Sequence, residues 1–269
     1  MAASAWKITV LGVRGSLPVP DRQFLEYGGN TSCVAVEHGG GLLCLDAGSG
    51  LSGLDRLLEE RKRLDLLISH VHLDHIIGLL GLHALFRPDL EVHLYGEARD
   101  GVSFRRRLDS FAGRPYWPVC VSEFSSRPQF HELRPGDRLH LCGIEISTLR
   151  GNHPGDSLLY RLDGQGRSLT YALDCEMDKE TFSALEDFAR GTDLLIWDAA
   201  YTAADWRPGW GHSTWEEGLA AGRAAGAKRV LMTHYCREYN DQFLREQELA
   251  AQKADGSCIF AREGMVIEL

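Results

Sequence analysis

Residues 65–78 read DLLISHVHLDHIIG: a short apolar run ends at Ser69, and His70, His72, Asp74 and His75 follow within six residues. In an extended or turning segment His70 and His72, two apart, point the same way, while Asp74 and His75 fall on the opening turn of a following helix. That gives two diverging pairs of ligands. Imidazole nitrogens and carboxylate oxygens suit Zn²⁺, and a diverging set suits two ions several ångströms apart. The plainer explanation, histidines satisfied by core or surface hydrogen bonds, serves for one histidine but not for HxHxDH directly after a buried strand.

The elements that must position these groups are legible as alternating apolar runs. Strand-like segments occur at 7–11, 32–36, 42–46, 66–69, 91–95, 144–149, 158–162, 169–173, 194–197, 229–233, 259–260 and 265–269. Helical periodicity occurs at 51–61, 75–86, 98–111, 179–190, 214–225 and 241–253. Early strands follow one another as hairpins and later ones alternate with helices. This predicts an α/β fold, two mixed sheets packed together with helices outside. The Pro-rich stretch 113–130 reads as a long loop, a length that is functional or disordered in compact domains.

Composition bounds the function. A chain of 269 residues, 44% hydrophobic and 25% charged, buries a full core, and without low-complexity tracts or repeats it is expected to form one domain over residues 1–269. The opening MAASAWKITVLG lacks a basic segment followed by a long apolar one, and no 18 apolar residues run together. A cytoplasmic location without a membrane span is therefore expected. Seven cysteines without a CxxC pair argue against a disulfide framework or a thiolate zinc site. A net charge of −9 opposes long nucleic acid as a partner more than a small anionic substrate. The one basic run, FRRRL at 104–108, reads as a solvated helix face.

HxHxDH after a strand resembles the signature of the metallo-β-lactamase fold hydrolases, and the resemblance extends over essentially the whole chain. RGNHPGD, TYALDCE and VLMTHYC follow downstream and LLCLDAGSG precedes, each at a strand-like run's end. The family implies a four-layer αββα sandwich. Carried over by position, it implies that one ion takes His70, His72 and His153, the other Asp74, His75 and His234, with Asp174 bridging. Two divalent ions per chain are expected, Zn²⁺ first and Mn²⁺ as the alternative. Asp46 fits a carboxylate that orients a ligand histidine, or alternatively a simple strand-end turn residue.

GWGHSTW, residues 209–215, resembles an element of the branch that holds ribonuclease Z, the phosphonate-pathway phosphodiesterases and the cyclic-nucleotide phosphodiesterases. There the resemblance places His212 opposite the metals, suited to protonate a leaving alkoxide or hold phosphate oxygens. Ser213 or Thr214 is placed to cap the next helix. YGGNTSCV and VRGS also resemble this branch as loops beside the metals, which would put Asn30 and Thr31 near substrate and let Gly28 and Gly29 bring amides to a phosphate. Trp210, with Trp206, Trp215 and Tyr201 nearby in sequence, is a candidate to stack on a base. NHPGD departs from the branch's NHPGG at Asp156, and a carboxylate so near His153 is expected to repel anions.

The resulting expectation is a phosphodiesterase acting on a small phosphodiester, a cyclic nucleotide or cyclic ribose phosphate. Two adjacent cations acidify a shared water that attacks phosphorus in line and neutralise phosphoryl oxygens, Asp74 orients the nucleophile, and His212 assists the leaving oxygen. A thioester or lactone hydrolase and a ribonuclease Z-like nuclease are the alternatives. A homodimer is expected from the resemblance alone.

Overall fold

The run KITVLG alternates outward and buried side chains, and in the computed structural model, which describes residues 5–269, it forms β1 (Lys7–Gly12). The strands continue as β2 (Cys33–His38), β3 (Gly41–Leu45), β4 (Arg63–Leu67), β5 (Glu91–Glu97), β6 (Gln129–Leu133), β7 (Arg138–Leu141) and β8 (Ile144–Gly151). After them come β9 (Ser157–Gly164), β10 (Arg167–Ala172), β11 (Leu194–Asp198), β12 (Val230–Thr233), β13 (Cys258–Phe260) and β14 (Val266–Glu268). The α-helices are α1 (Asp55–Leu58), α2 (Leu73–Ile76), α3 (Phe104–Phe111), α4 (Lys179–Phe188), α5 (Trp215–Ala225) and α6 (Asp241–Ala254).

Two sheets of seven strands result, in the orders β14-β1-β2-β3-β4-β5-β6 and β13-β12-β11-β10-β9-β8-β7. In the first, β1 to β3 pair antiparallel and β3 to β6 parallel; in the second, β7 to β10 pair antiparallel and β10 to β13 parallel. Alternation divides the apolar residues between layers. Leu67 of β4 joins a core with Ile8, Val36, Leu162 and Ile196, shared by the two sheets. Leu64 and Leu66 instead join Leu79, Leu85 and Phe104, which lie beneath the helices of the first half. Helices α5 and α6 cover the second sheet at β11, β12 and β13. This is the expected αββα sandwich. No helix among the described residues is long and apolar enough to cross a membrane.

Several elements differ from the periodicity. Strands β6 and β7 were not expected: QFHEL carries polar residues on both sides of the pleat, and RLHL alternates over only four residues. The helix expected over 75–86 breaks into α2 and two 3₁₀ turns, Ile77–Leu80 and His83–Phe86. The span 51–61 likewise divides into a 3₁₀ turn, Ser49–Leu54, and α1. The span 98–111 becomes helical only at Phe104, since Asp100 and Gly101 take positive φ of 52° and 72° in a turn closed between Arg99 and Val102. The stretch 113–130 is a packed cover: Val121 and Phe124 are buried, and the Ser122 amide and hydroxyl bind Asp109 at 2.9 and 2.8 Å.

The close approach of Gly78 to the loop after β3 fixes α2 in place. The Ala47 amide donates to His75 O and the Gly78 amide to Ala47 O, both at 2.8 Å, and a Cβ on Gly78 would meet Gly48 O at 2.0 Å. Gly78→Ala is therefore expected to lower unfolding free energy by about 1–3 kcal/mol or more. Gly256→Ala, where nothing approaches within 4 Å, should change little. Denaturant titration of both variants checks this; equal midpoints would contradict it.

Candidate metal centre

The two halves of the chain bring their ligands together from the carboxyl ends of parallel strands, where open α/β sheets place their sites. His70 and His72 follow β4, Asp74 and His75 ride on α2, Asp174 follows β10 and His234 follows β12. His153 lies in the turn between β8 and β9. One cluster is His70, His72 and His153; a second is Asp74, His75, Asp174 and His234; a third group, Asp174, Asp198, His212 and His234, overlaps the second. In the first, His153 Nε2 is 3.1 Å from His72 Nδ1. In the second, His75 Nε2, His234 Nε2 and Asp74 Oδ2 are mutually 3.3 Å apart.

Asp174 lies between them. Its Oδ1 is 3.1 Å from both His75 Nε2 and His234 Nε2, and its Oδ2 is 3.7 Å from both His70 Nε2 and His153 Nε2. Ligand atoms held about 2.0–2.2 Å from a tetrahedral ion are themselves roughly 3.3–3.5 Å apart, so both clusters have the spacing of a coordination shell and Asp174 offers one oxygen to each. His70 Nε2 and Asp174 Oδ1 are buried without a hydrogen-bond partner in the protein. Such orphans are rare unless a ligand satisfies them. The donor set therefore fits divalent metal ions.

Other groups fix the rings. Asp46 Oδ2 accepts the proton of His75 Nδ1 at 2.7 Å, leaving Nε2 toward the cluster. The same carboxylate accepts the Ser69 amide, the Ser69 hydroxyl and the Tyr171 hydroxyl at 2.7, 2.9 and 2.8 Å, so Asp46 fixes the His75 ring from behind, and all of its contacts point away from the cluster. His153 Nδ1 is 2.9 Å from Gly211 O, which likewise frees its Nε2. Gly15 and Gly211 press on His234 and His153: added Cβ atoms would lie 2.6 and 2.2 Å from those rings. Asp46, Asp174 and His234 all adopt left-handed φ, at 59°, 53° and 62°. Aspartate and histidine enter this region more readily than most residues, and such strain concentrates at functional sites.

The electrostatics differ between clusters. Burial pushes the His70 and His153 imidazoles down, keeping them neutral and ready to bind. Burial acts the same way on His75 and His234, but Asp174 and the other carboxylates around them outweigh it and raise both well above the ordinary value. Burial would raise the Asp74 carboxyl, yet His75 and His234 hold it well below the usual carboxylate range. The second cluster thus draws positive charge strongly.

His212 stands over both clusters, its ring 5.1 Å from those of His153 and His234. Its Nδ1 is 2.9 Å from Asp198 Oδ2, and Asp198 Oδ1 is 3.5 Å from His234 Nδ1. Burial opposes the charged imidazole, but the Asp198 charge and hydrogen bond prevail and raise its pKa. Asp198 was not singled out from sequence. Its signal was present: an aspartate closing the apolar run LLIW, as Asp46 and Asp174 close theirs. Glu176 braces the loop by accepting the Gly209 and Gly211 amides, and Trp206 Nε1 donates to His212 O at 3.1 Å. Thr214 caps α5 in a reciprocal box with Glu217, while Ser213 donates to Cys175 O.

The remaining candidates divide. Trp210, two residues before His212, is 56% exposed, with the Arg207 guanidinium 4.9 Å from its ring centroid. Asn30 and Thr31 are engaged elsewhere: the Asn30 amide nitrogen binds Glu263, and both side chains bond Ser49. The Gly28 amide donates to Phe24 O, while the VRGS loop turns the Ser16 amide onto Asp74 Oδ2 at 2.7 Å. Asp156 does not stand as a free repelling charge, because Arg99 and Arg150 both pair with it. Trp215 packs against the core with its Nε1 on Gln247.

Fold and paired clusters define a metallo-β-lactamase-fold hydrolase. Residues 43–235 match the beta-lactamase superfamily domain, and the chain belongs to that family. It is similar to the ribonuclease Z of Archaeoglobus fulgidus, 22% identical over 321 residues covering 98% of each protein. Among solved structures it is similar to the metallo-beta-lactamase fold protein YhfI from Bacillus subtilis, with a TM-score of 0.77 and 21% identity over 99% of this chain and 100% of that one. A diphosphatase of the PhnP family aligns with a TM-score of 0.71 and 20% identity, covering 98% and 97%.

The shared carboxylate generates a prediction. Asp174→Ala should lose ions from both clusters, whereas His153→Ala should mainly weaken the first, as read by metal analysis after dialysis against a mild chelator. Equal loss in the two variants would contradict the bridging placement.

Proposed function

We propose that this chain is a dinuclear zinc phosphodiesterase acting on a small phosphodiester, a cyclic nucleotide or cyclic ribose phosphate, with Mn²⁺ the alternative metal. The observation that carries the reading is His212, held by Asp198 at 2.9 Å above both clusters. With Nδ1 committed to a carboxylate, its other nitrogen is free to deliver a proton to a departing alkoxide. When bound, two such cations acidify water and neutralise phosphoryl oxygens. Asp74 commits Oδ2 to the Ser16 amide and the second cluster, which leaves Oδ1 to orient the incoming water. Trp210, two residues before His212 in the chain, offers an exposed ring for a base to stack on.

The alignment with ribonuclease Z over nearly the full chain supports a second reading, an RNA-processing nuclease. The net charge of −9 weighs against it, since a folded RNA requires a basic surface. Processing of a precursor tRNA at a rate above that of a cyclic nucleotide would select it.

The leaving group tests the role of His212. His212→Ala should keep both ions and lose roughly 10²–10⁴ in turnover of a cyclic nucleotide, whose ribose alkoxide needs the proton. Bis(p-nitrophenyl) phosphate, whose phenolate departs unaided, should lose far less. Equal slowing of both substrates would assign His212 to binding phosphate oxygens, and unchanged turnover of the cyclic nucleotide would end the general-acid role.

A further inference from the structure

The loop from β11 to α5 carries an arginine that the hydrolytic machinery leaves without a task. Arg207 is exposed, and its guanidinium carbon lies 4.9 Å from the Trp210 ring centroid and 5.9 Å from that of Tyr201. Tyr201 in turn stands beside His212, with ring centroids 6.1 Å apart, so its ring links the arginine to the metal centre. Among the described residues nothing accepts a hydrogen bond from the Arg207 side chain and no carboxylate pairs with it. The loop around it is braced on both sides. Trp206 Nε1 donates to His212 O, the Gly209 amide to Glu176 and the Tyr201 amide to Ser213 O. A guanidinium resting on aromatic faces keeps its in-plane N–H donors free for a ligand.

Donor geometry decides what fits. The substrate's phosphate is claimed by the metal ligands and His212, which leaves the base for Arg207. A planar fork of donors laid on an indole suits a flat partner with two adjacent acceptors in the same plane. Guanine presents O6 and N7 as such a pair, whereas adenine presents N7 beside an amino donor that an arginine cannot satisfy. Cytosine also offers two acceptors, O2 and N3, but a smaller ring to stack. We propose that Arg207 is a specificity-determining residue that pairs edge-on with guanine, so that the substrate is a guanosine cyclic phosphate. The proposal rests on the phosphodiesterase reading and names its base. An indole is wider than a guanidinium, so the paired base continues the stack over Trp210 while the ribose bridges toward His212 and the clusters.

The test compares the 3′,5′-cyclic phosphates of guanosine, adenosine and cytidine on the metal-loaded protein. The guanosine compound should show a kcat/KM higher by roughly 10–100-fold than either of the others, the discrimination of one bidentate arginine–guanine pair. Inosine 3′,5′-cyclic phosphate, which keeps O6 and N7, should retain the preference, and 7-deazaguanosine 3′,5′-cyclic phosphate, which lacks N7, should lose most of it. Arg207→Ala should abolish the preference, and Arg207→Lys, which keeps the charge without the fork, should retain part. No preference for guanosine in the parent protein, or one that survives Arg207→Ala or the loss of N7, overturns the proposal. A second readout needs no turnover: guanosine 5′-phosphate should bind by calorimetry about 10-fold more tightly than adenosine 5′-phosphate, and Arg207→Ala should remove the difference. If no cyclic nucleotide is cleaved but this difference is present and lost in Arg207→Ala, the phosphodiesterase reading fails and the base subsite stands. Cleavage of all three cyclic nucleotides at equal efficiency keeps that reading and overturns the subsite, as does equal binding of the two monophosphates.

Discussion

Four aspartates, Asp46, Asp74, Asp174 and Asp198, lie 0–6% exposed where the two sheets meet. Unpaired, each buried carboxylate would cost several kcal/mol. The rest of the structure answers that constraint. Every one of them faces histidine: Asp46 faces His75, Asp74 and Asp174 face His75 and His234, and Asp198 faces His212 and His234. Histidine can meet such charge in two ways, by holding a proton or by sharing a cation, and the two states differ little in the geometry they demand. The seam is therefore built for positive charge before any substrate arrives.

The aspartates divide the labour. Asp46 and Asp198 stand behind imidazoles and fix their direction, the outer carboxylates that metal sites need to hold ligand rings. Asp74 and Asp174 present oxygens inward. The first cluster consists of three imidazoles with one shared oxygen, whereas the second adds a carboxylate of its own. That asymmetry gives one neutral nitrogen-rich shell and one anionic shell. The backbone bears the cost: two of these aspartates, Asp46 and Asp174, and His234 sit at left-handed φ, and glycines 15, 78 and 211 allow approaches that any side chain would block.

What sequence revealed follows from what kind of interaction each feature is. The central strands were legible because both faces of most are apolar, as in LLCL and LLIW; four candidate ligands were legible because HxHxDH compresses them into six residues, and His153, Asp174 and His234 only through the family resemblance. Strands β6 and β7, each at a sheet edge, were not, since QFHEL has polar residues on each side of the pleat and the alternation in RLHL runs for only four residues. The long helix expected after His75 was lost to Gly78, whose fit against Gly48 is a tertiary fact. Asp198 passed unnoticed because its importance lies in a partner 14 residues away, and the neutralisation of Asp156 depended on Arg99, from another strand's end. Local pattern shows which residues are present; only packing shows which charges meet.

The central claim is that the two clusters form one centre, joined by Asp174. Anomalous diffraction from crystals loaded with zinc at its absorption edge addresses it directly. The account predicts two peaks on the order of 3.5–4 Å apart, one among His70, His72 and His153, the other among Asp74, His75 and His234, with one Asp174 oxygen toward each. A single peak, or two peaks with Asp174 bound to neither ion, would contradict it.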